Sequence, residues 1–362
     1  MNYYGKIAVL SIGLLFIGVS LFGLDISSAQ TNKPQNAAAS PTPPASPTPV
    51  IEEENDIIKI DTEVVNVLFT AQDKNRRLLT DLKQSDVRLL EDGQPQEITA
   101  FARQVDLPLS LAILIDTSAS QERTLPEEKA AAKTFLQSVI RPAKDEVSII
   151  SFTGESTLEQ GMTNNLSRLS RAVDRVEFVP PSGYIGGGVI AGGSPPISGR
   201  NQMTQGSTAI WDAIWVTSEE VLKPSPDKTR RAIILLSDGV NTYGTKKLDD
   251  AVQAALRSEA VIYSIGIGDN FYDGVDKGVL KKISERTGGR AFFPEDESEL
   301  RQAFNQIQTE MRSQFLVAYE PSNQKRDGSY RKIEIQIANS ELAKQKVSLT
   351  HRQGYFAKTD KK

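Results

Sequence analysis

No cysteine occurs in the 362 residues, and histidine occurs once, at His351. The first absence excludes a disulfide framework, a thiolate nucleophile and a lipid-modified cysteine at an export site. The second leaves one imidazole for any chemistry that needs a histidine base. His351 falls among strand-like residues near the end of the chain and reads as a surface or half-buried strand position. A strong charge imbalance is missing too. The net charge is −4 and no long basic run appears, so nucleic acid is not an expected partner. No internal repeat is evident, and a chain of this length buries enough core to fold without disulfides.

Lys6 is the one charged side chain ahead of an apolar stretch from Ile7 to Gly23. Ser27-Ser28-Ala29 then offers the small residues a signal peptidase accepts, so residues 1–29 read as a secretory signal cleaved after Ala29. The alternative is an uncleaved membrane anchor, because about 17 apolar residues approach the roughly 20 needed to span a bilayer. Residues 30–55 are rich in Pro, Ala, Ser and Thr and close with Glu52-Glu53-Glu54. Such a segment buries little and stays extended. It reads as a spacer between the folded part and the membrane or wall, or as a tether of no selected length. Both readings place the protein outside the cytoplasm: periplasm, cell surface or secreted.

The folded part divides in three. Residues 56–104 carry strand patterns at Val64–Phe69, Val87–Glu91 and Gln96–Phe101, with a turn at Asp73–Arg76. Asp92-Gly93 between the second and third strands is a hairpin signal. Residues 105–312 alternate strands and helices, the mark of a mostly parallel sheet covered on both faces. The expected strands are Leu111–Ile115, Val147–Phe152, Ala232–Leu236, Val261–Ile267 and Arg290–Phe293, with a short edge strand near Ser156–Gln160. Three helices show apolar faces at the 3.6-residue period: Ala132, Phe135, Leu136 and Val139; Ile210, Ala213, Ile214 and Thr217; Leu300, Phe304, Ile307 and Met311. These are core faces. Trp211 and Trp215, four apart on the second helix, read as core or core-edge residues, with a partner-facing pair as the alternative. Gly288-Gly289 ends a helix that starts near Asp276. Residues 313–358 return to strands at Gln314–Tyr319, Tyr330–Ile337, Val347–His351 and Gly354–Ala357. Neither flank has enough strands for a two-layer core. The expected architecture is therefore α/β: a doubly wound, mostly parallel sheet inserted into a small β-sandwich-like module built from both flanks. Two independent small modules are the alternative.

Chemistry concentrates where apolar strands end. Leu111–Ile115 runs into Asp116-Thr117-Ser118-Ala119-Ser120, and Leu235-Leu236-Ser237 runs into Asp238-Gly239. In a doubly wound sheet, ligands bind beyond such carboxyl ends, where strand order reverses. Gly206-Ser207-Thr208 opens the helix that carries Ile210. One carboxylate and two hydroxyls in a tight loop form an all-oxygen set suited to a hard divalent cation. The competing reading is structural: Ser118 and Ser120 cap the helix beginning near Leu125, and Asp238-Gly239 is an ordinary turn.

Enzyme patterns fit poorly. An aspartic protease needs Gly where Ser118 stands, and a subtilisin-type protease needs a histidine base. A haloacid-dehalogenase-type phosphatase needs a second Asp, again where Ser118 stands. The chain is not expected to be an enzyme; metal-assisted hydrolysis is the least favoured function.

Taken together, the three segments resemble the metal-ion-dependent adhesion site of von Willebrand factor type A domains. The flanks narrow the resemblance. Asp86-Val87-Arg88-Leu89-Leu90-Glu91-Asp92-Gly93-Gln94-Pro95-Gln96, Tyr319-Glu320-Pro321, Tyr330-Arg331-Lys332-Ile333 and Gly354-Tyr355-Phe356 resemble the exported VWFA-related Acidobacterial-domain proteins. By position, the resemblance implies a cation held by Asp116, Ser118, Ser120, Thr208 and Asp238. The ion would be Mg²⁺, with Ca²⁺ or Mn²⁺ as alternatives, and Gly206 and Gly239 would allow close backbone approach. It further implies that a protein partner supplies an acidic group to the ion. A structural or assembly role in the cell envelope, with the metal only stabilising the fold, is the second reading. The Gly- and Pro-rich stretch 180–206 leads directly into Thr208 and reads as a recognition loop or as a flap without consequence.

Overall fold

The computed structural model describes residues 64–104, 107–180, 207–226, 229–268 and 274–359. The expected signal, the spacer, Gly206 and nearly all of the Gly- and Pro-rich stretch lie outside the described residues.

The N-terminal flank supplies β1 (Val65–Gln72), β2 (Val87–Glu91), β3 (Gln94–Gln96) and β4 (Ile98–Gln104). The central region begins with β5 (Leu109–Asp116), α1 (Leu125–Val139), β6 (Glu146–Phe152), β7 (Ser156–Thr163) and α2 (Leu166–Arg175). It continues with α3 (Ile210–Val216), β8 (Arg230–Ser237), α4 (Leu248–Arg257), β9 (Ala260–Gly266), α5 (Lys277–Thr287), β10 (Ala291–Phe292) and α6 (Glu297–Arg312). The C-terminal flank adds β11 (Gln314–Tyr319), β12 (Tyr330–Ile337), α7 (Ser340–Lys344), β13 (Ser348–His351) and β14 (Gly354–Phe356).

The central sheet has the order β10-β9-β8-β5-β6-β7, with every pair parallel except β6 with β7. All eight residues of β5 and of β8 are buried, because helices cover both faces. Successive β5 side chains alternate between the two cores. Leu111, Ile113 and Ile115 pack with Phe135, Leu136, Leu169, Phe304 and Ile307 from α1, α2 and α6. Ala112 and Leu114 pack with Ile210, Ile214, Val252 and Ile283 from α3, α4 and α5. Each of these Leu, Ile, Val and Phe side chains contributes about 1.5–3 kcal/mol on burial. The expected helical faces are all buried, and Trp211 joins the core while Trp215 sits at its edge under the Lys246 ammonium, 4.1 Å from the ring centre. After Val216 the α3 helix runs on through a wider π turn, Thr217–Leu222. Gly288 ends α5 at φ 89°, a conformation that glycine adopts without strain.

The flanks do combine. One antiparallel sheet has the order β13-β1-β11-β4 and the other β14-β12-β2-β3, so each mixes strands from both ends of the chain. Val67, Phe69, Leu89, Phe315, Val317, Ile333 and Ile335 form the core between them. The Phe69 and Phe315 rings stack at 5.3 Å. This is one sandwich, with the α/β region entering after β4 and leaving before β11.

One expected strand is wrong in detail. Gln96–Phe101 is broken at Glu97: Gln94–Gln96 pairs with β2 in one sheet and Ile98–Gln104 with β11 in the other. The chain turns a sandwich corner there. The Asp92-Gly93 hairpin is present, with both residues at positive φ, 48° and 81°.

A buried polar cluster ties the two sheets together. The Tyr319 hydroxyl on β11 donates to Glu91 Oε2 at 2.6 Å, and the Tyr355 hydroxyl on β14 donates to the same oxygen at 2.9 Å. Arg331 on β12 lies 3.5 Å from Glu91 Oε1 and donates to the Tyr355 hydroxyl at 3.2 Å. All four side chains are buried. These residues belong to the flanking stretches that carried the subgroup resemblance, and their shared role is to join the sheets.

His351 is half-buried on β13. Its Nδ1 lies 2.7 Å from the Arg352 carbonyl, and its Nε2 accepts from the Ile335 amide at 3.2 Å. Only a neutral ring protonated at Nδ1 makes both bonds. Burial holds its pKa below the ordinary 6.5. The unfolded chain therefore takes up this proton first as pH falls. The stabilisation is present above about pH 6.5 and is lost as pH drops through the folded-state value. Melting temperature should fall between pH 7 and pH 5, and His351→Gln should flatten that part of the profile; an unchanged profile would contradict the assignment.

Candidate metal site

β5 and β8 are adjacent and in register, Ile115 opposite Leu236, so Asp116 and Asp238 emerge side by side where the strand order reverses. Asp116 is fully buried. Its Oδ1 accepts from the Ser118 amide at 3.0 Å and its Oδ2 from the Ser237 hydroxyl at 2.7 Å. Ser237 Oγ in turn accepts from the Gly239 amide at 3.1 Å. The two acidic loops are thus fastened to each other through Ser237. Asp238 is also buried, and its Oδ1 accepts from the Val240 amide at 2.9 Å. Gly239 at φ 84° fits the close packing expected of it: a Cβ there would lie 2.9 Å from Leu280 Cγ.

Ser118 is buried and Ser120 half-buried, with their hydroxyl oxygens 3.3 Å apart. Adjacent ligands of an octahedral ion with bonds of about 2.1 Å lie about 3.0 Å apart, so this separation suits two positions of one shell. The competing capping role fails. The residue before α1 is Thr124, and no side chain caps that helix; neither does Ser118 cap the single 3₁₀ turn Ala119–Gln121.

Thr208 is placed by its backbone. The following amide, Ala209, donates to the Thr153 carbonyl beyond β6 at 2.7 Å. On its other side, the Thr208 amide donates to the Thr242 hydroxyl at 2.8 Å, and its carbonyl accepts from the Thr242 and Tyr243 amides at 2.9 and 3.0 Å. Thr242 and Tyr243 belong to the loop that follows β8. Since β5 lies between β6 and β8, this segment crosses over the end of β5, which is Asp116. The three separate stretches therefore meet.

Electrostatics make this pair of acids receptive to a cation. Burial, and then the charge of Asp238, push the Asp116 carboxyl up to about 7, against the opposing pull of its Ser118 and Ser237 hydrogen bonds. Two like charges held together out of water are an arrangement that a divalent cation relieves. Among the described residues no group of three or more His, Cys, Asp or Glu is placed to hold a metal. The donor set here is of another kind: two carboxylates and three hydroxyls, hard oxygens that fit Mg²⁺, Ca²⁺ or Mn²⁺. Ser237, Gln121 and Thr242 hydrogen-bond to Asp116, Ser120 and Thr208, and sequence reasoning assigned them nothing. Ser237 stood inside the Leu235–Gly239 motif, but only as a strand end.

The family model for the von Willebrand factor type A domain matches residues 197–306, and a second model of the same description matches 111–241. No curated protein sequence matches the chain. Among solved structures, proximal thread matrix protein 1 from the mussel byssus is similar at 18% identity and a TM-score of 0.44, over 61% of this chain and 51% of that one. The chain thus spans about half the length of the mussel protein. A form of that protein with a zinc-occupied MIDAS motif matches at 19% identity and a TM-score of 0.44, over 61% and 49% of the two chains. An aerotolerance-related membrane protein from Bacteroides fragilis matches at 16% identity and a TM-score of 0.41, over 56% of this chain and 100% of that one. The two family matches overlap and together run from residue 111 to 306, from the start of β5 well into α6: the chain carries a von Willebrand factor type A domain.

Proposed function

We propose that the protein is an exported, non-enzymatic binding module that engages an acidic group of a protein partner through a divalent cation. Asp116, Ser118, Ser120, Thr208 and Asp238 would hold the ion. The observation that carries this reading is the pairing of two buried carboxylates with two serine hydroxyls 3.3 Å apart at the switch point of the sheet. Two negative charges balance a divalent ion, and hydroxyls add oxygens without adding charge. A bound cation would supply an electron-poor position to which a partner's carboxylate is attracted. The protein residues hold that position in place through the Ser237 and Thr242 hydrogen bonds.

Binding is favoured over turnover because, among the described residues, no general base stands ready beside the two acids. The single histidine lies in the sandwich, and Glu128 is fully buried behind the loops. Mg²⁺ is the ion proposed, as the commonest partner of a compact all-oxygen shell, and zinc, as in the mussel protein, suits this cysteine- and histidine-poor set less well. Export rests on the N-terminal sequence pattern. Among the described residues no helix is long and apolar enough to cross a membrane.

Capture of a partner from an envelope extract tests the proposal. With Mg²⁺ the wild type should retain a partner that chelator releases and that Asp116→Ala fails to retain. Capture that resists both chelator and Asp116→Ala would count against it.

A further inference from the structure

Glu128 lies in the first turn of α1 and is fully buried. Its Oε1 is 2.9 Å from the Thr124 hydroxyl, and its Oε2 has no hydrogen-bond partner among the described residues. The same Thr124 hydroxyl is 2.9 Å from Gln121 Oε1. Gln121 is buried as well. Its amide nitrogen donates to the Ile267 carbonyl at 3.1 Å and to the Ser120 hydroxyl at 3.3 Å.

Hydrogen-bond accounting fixes the protons in this chain. The Gln121 nitrogen must face Ile267, because the reverse orientation would set two carbonyl oxygens against each other. Gln121 Oε1 therefore faces Thr124 and needs a donor. Thr124 has one hydroxyl proton and two acceptor oxygens at an equal 2.9 Å; the Gln121 main-chain carbonyl, at 3.4 Å, is the farther and weaker third. Given to Gln121, that proton leaves the Glu128 contact favourable only if Glu128 donates. An ionised Glu128 would take the Thr124 proton, strand Gln121 Oε1, and leave Oε2 as a buried charge without a donor. The surroundings agree. Burial, with the charges of Asp116, Asp238 and Glu127 added to it, raises the Glu128 carboxyl to about 8 against the pull of the Thr124 hydroxyl.

We infer that Glu128 is a neutral, proton-donating positioning residue of the cation site, acting through Thr124 and Gln121 to set the Ser120 hydroxyl. The inference rests on the reading of Ser120 as a cation ligand. Gln121 occupies one lone pair of Ser120 and leaves the other for an ion. Because Glu128 is neutral, the site keeps two negative charges, those of Asp116 and Asp238, and stays matched to a divalent ion. Gln121 also fastens the serine loop to the end of β9, so the chain of donors spans from α1 to the sheet.

Mn²⁺ titration of the full chain at pH 7 separates the roles. Glu128→Gln is neutral and still donates; Glu128→Leu is neutral and does not. Glu128→Gln should bind within about threefold of wild type, and Glu128→Leu about 10–100-fold more weakly, the usual cost of removing a group that orients a ligand. Thr124→Val breaks the next link and should match Glu128→Leu, which covers a leucine variant that fails to fold. A glutamine variant as weak as the leucine one would show that Glu128 acts as a charge and overturn the inference. So would leucine and valine variants as tight as wild type. A wild type that binds no Mn²⁺ would defeat the proposed cation site instead. The proton is then read by infrared difference between wild type and Glu128→Gln: a protonated-carboxyl band at pH 7 belonging to Glu128 is expected, and its absence overturns the inference whatever the cation does.

Discussion

Asp116→Asn is expected to raise the stability of the cation-free protein while abolishing its response to Mg²⁺. In the wild type, burial and Asp238 raise the Asp116 carboxyl to about 7. Without a cation, the stability tied to its proton is present below about pH 4 and is lost as pH rises through about 7. Asparagine removes that charge and keeps an acceptor for the Ser118 amide. At pH 8 without metal, a gain of about 1–3 kcal/mol follows from the relieved charge. With metal the order reverses. A ligand at a hundred times its Kd stabilises the native state by about 2.7 kcal/mol, and the variant should forfeit all of it. Thermal melts of both proteins in chelator and in Mg²⁺ check both halves. A variant less stable than wild type in chelator would mean that Asp116 is a structural carboxylate, and the site would lose its electrostatic basis.

Glu91→Ala is expected to cost about 3–5 kcal/mol, the range for breaking a buried ion pair from one side. Arg331 would be left without its buried carboxylate, and the Tyr319 and Tyr355 hydroxyls would lose their shared acceptor. The loss crosses both sheets, since Tyr319 belongs to one and the other three residues to the second. Glu91→Gln should cost less, because one acceptor oxygen and the side-chain shape remain. Urea denaturation midpoints give the comparison. An alanine variant within about 1 kcal/mol of wild type would remove this cluster from the forces holding the sandwich.

Much of the fold is legible in the chain because β5 and β8 are unbroken apolar runs and the helices keep the 3.6-residue period. The pairing of the flanks follows from a shortage: neither end has strands enough to bury both faces. The corner at Glu97 is hidden because the expected strand Gln96–Phe101 contains no Gly, Pro, Asn, Asp or Ser, so only the competition of two sheets for its residues reveals it. At the site, Asp116, Ser118, Ser120, Thr208 and Asp238 can be named from spacing and family resemblance. What holds them cannot. Ser237 meets Asp116 across 121 positions, and Gln121 meets Ile267 across 146, distances over which local pattern carries no signal. Nor does the pattern say whether the two serine hydroxyls cap a helix or face each other; the path of the backbone from Ser118 to Thr124 decides that.

Calorimetric titration of Mg²⁺ and Mn²⁺ into the full chain bears most directly on the central claim that these three stretches share one cation. Binding of a single ion per chain is expected, weakened about tenfold or more by Thr208→Ala and abolished by Asp238→Ala. Binding that survives both substitutions unchanged, or no binding to the wild type, would contradict it.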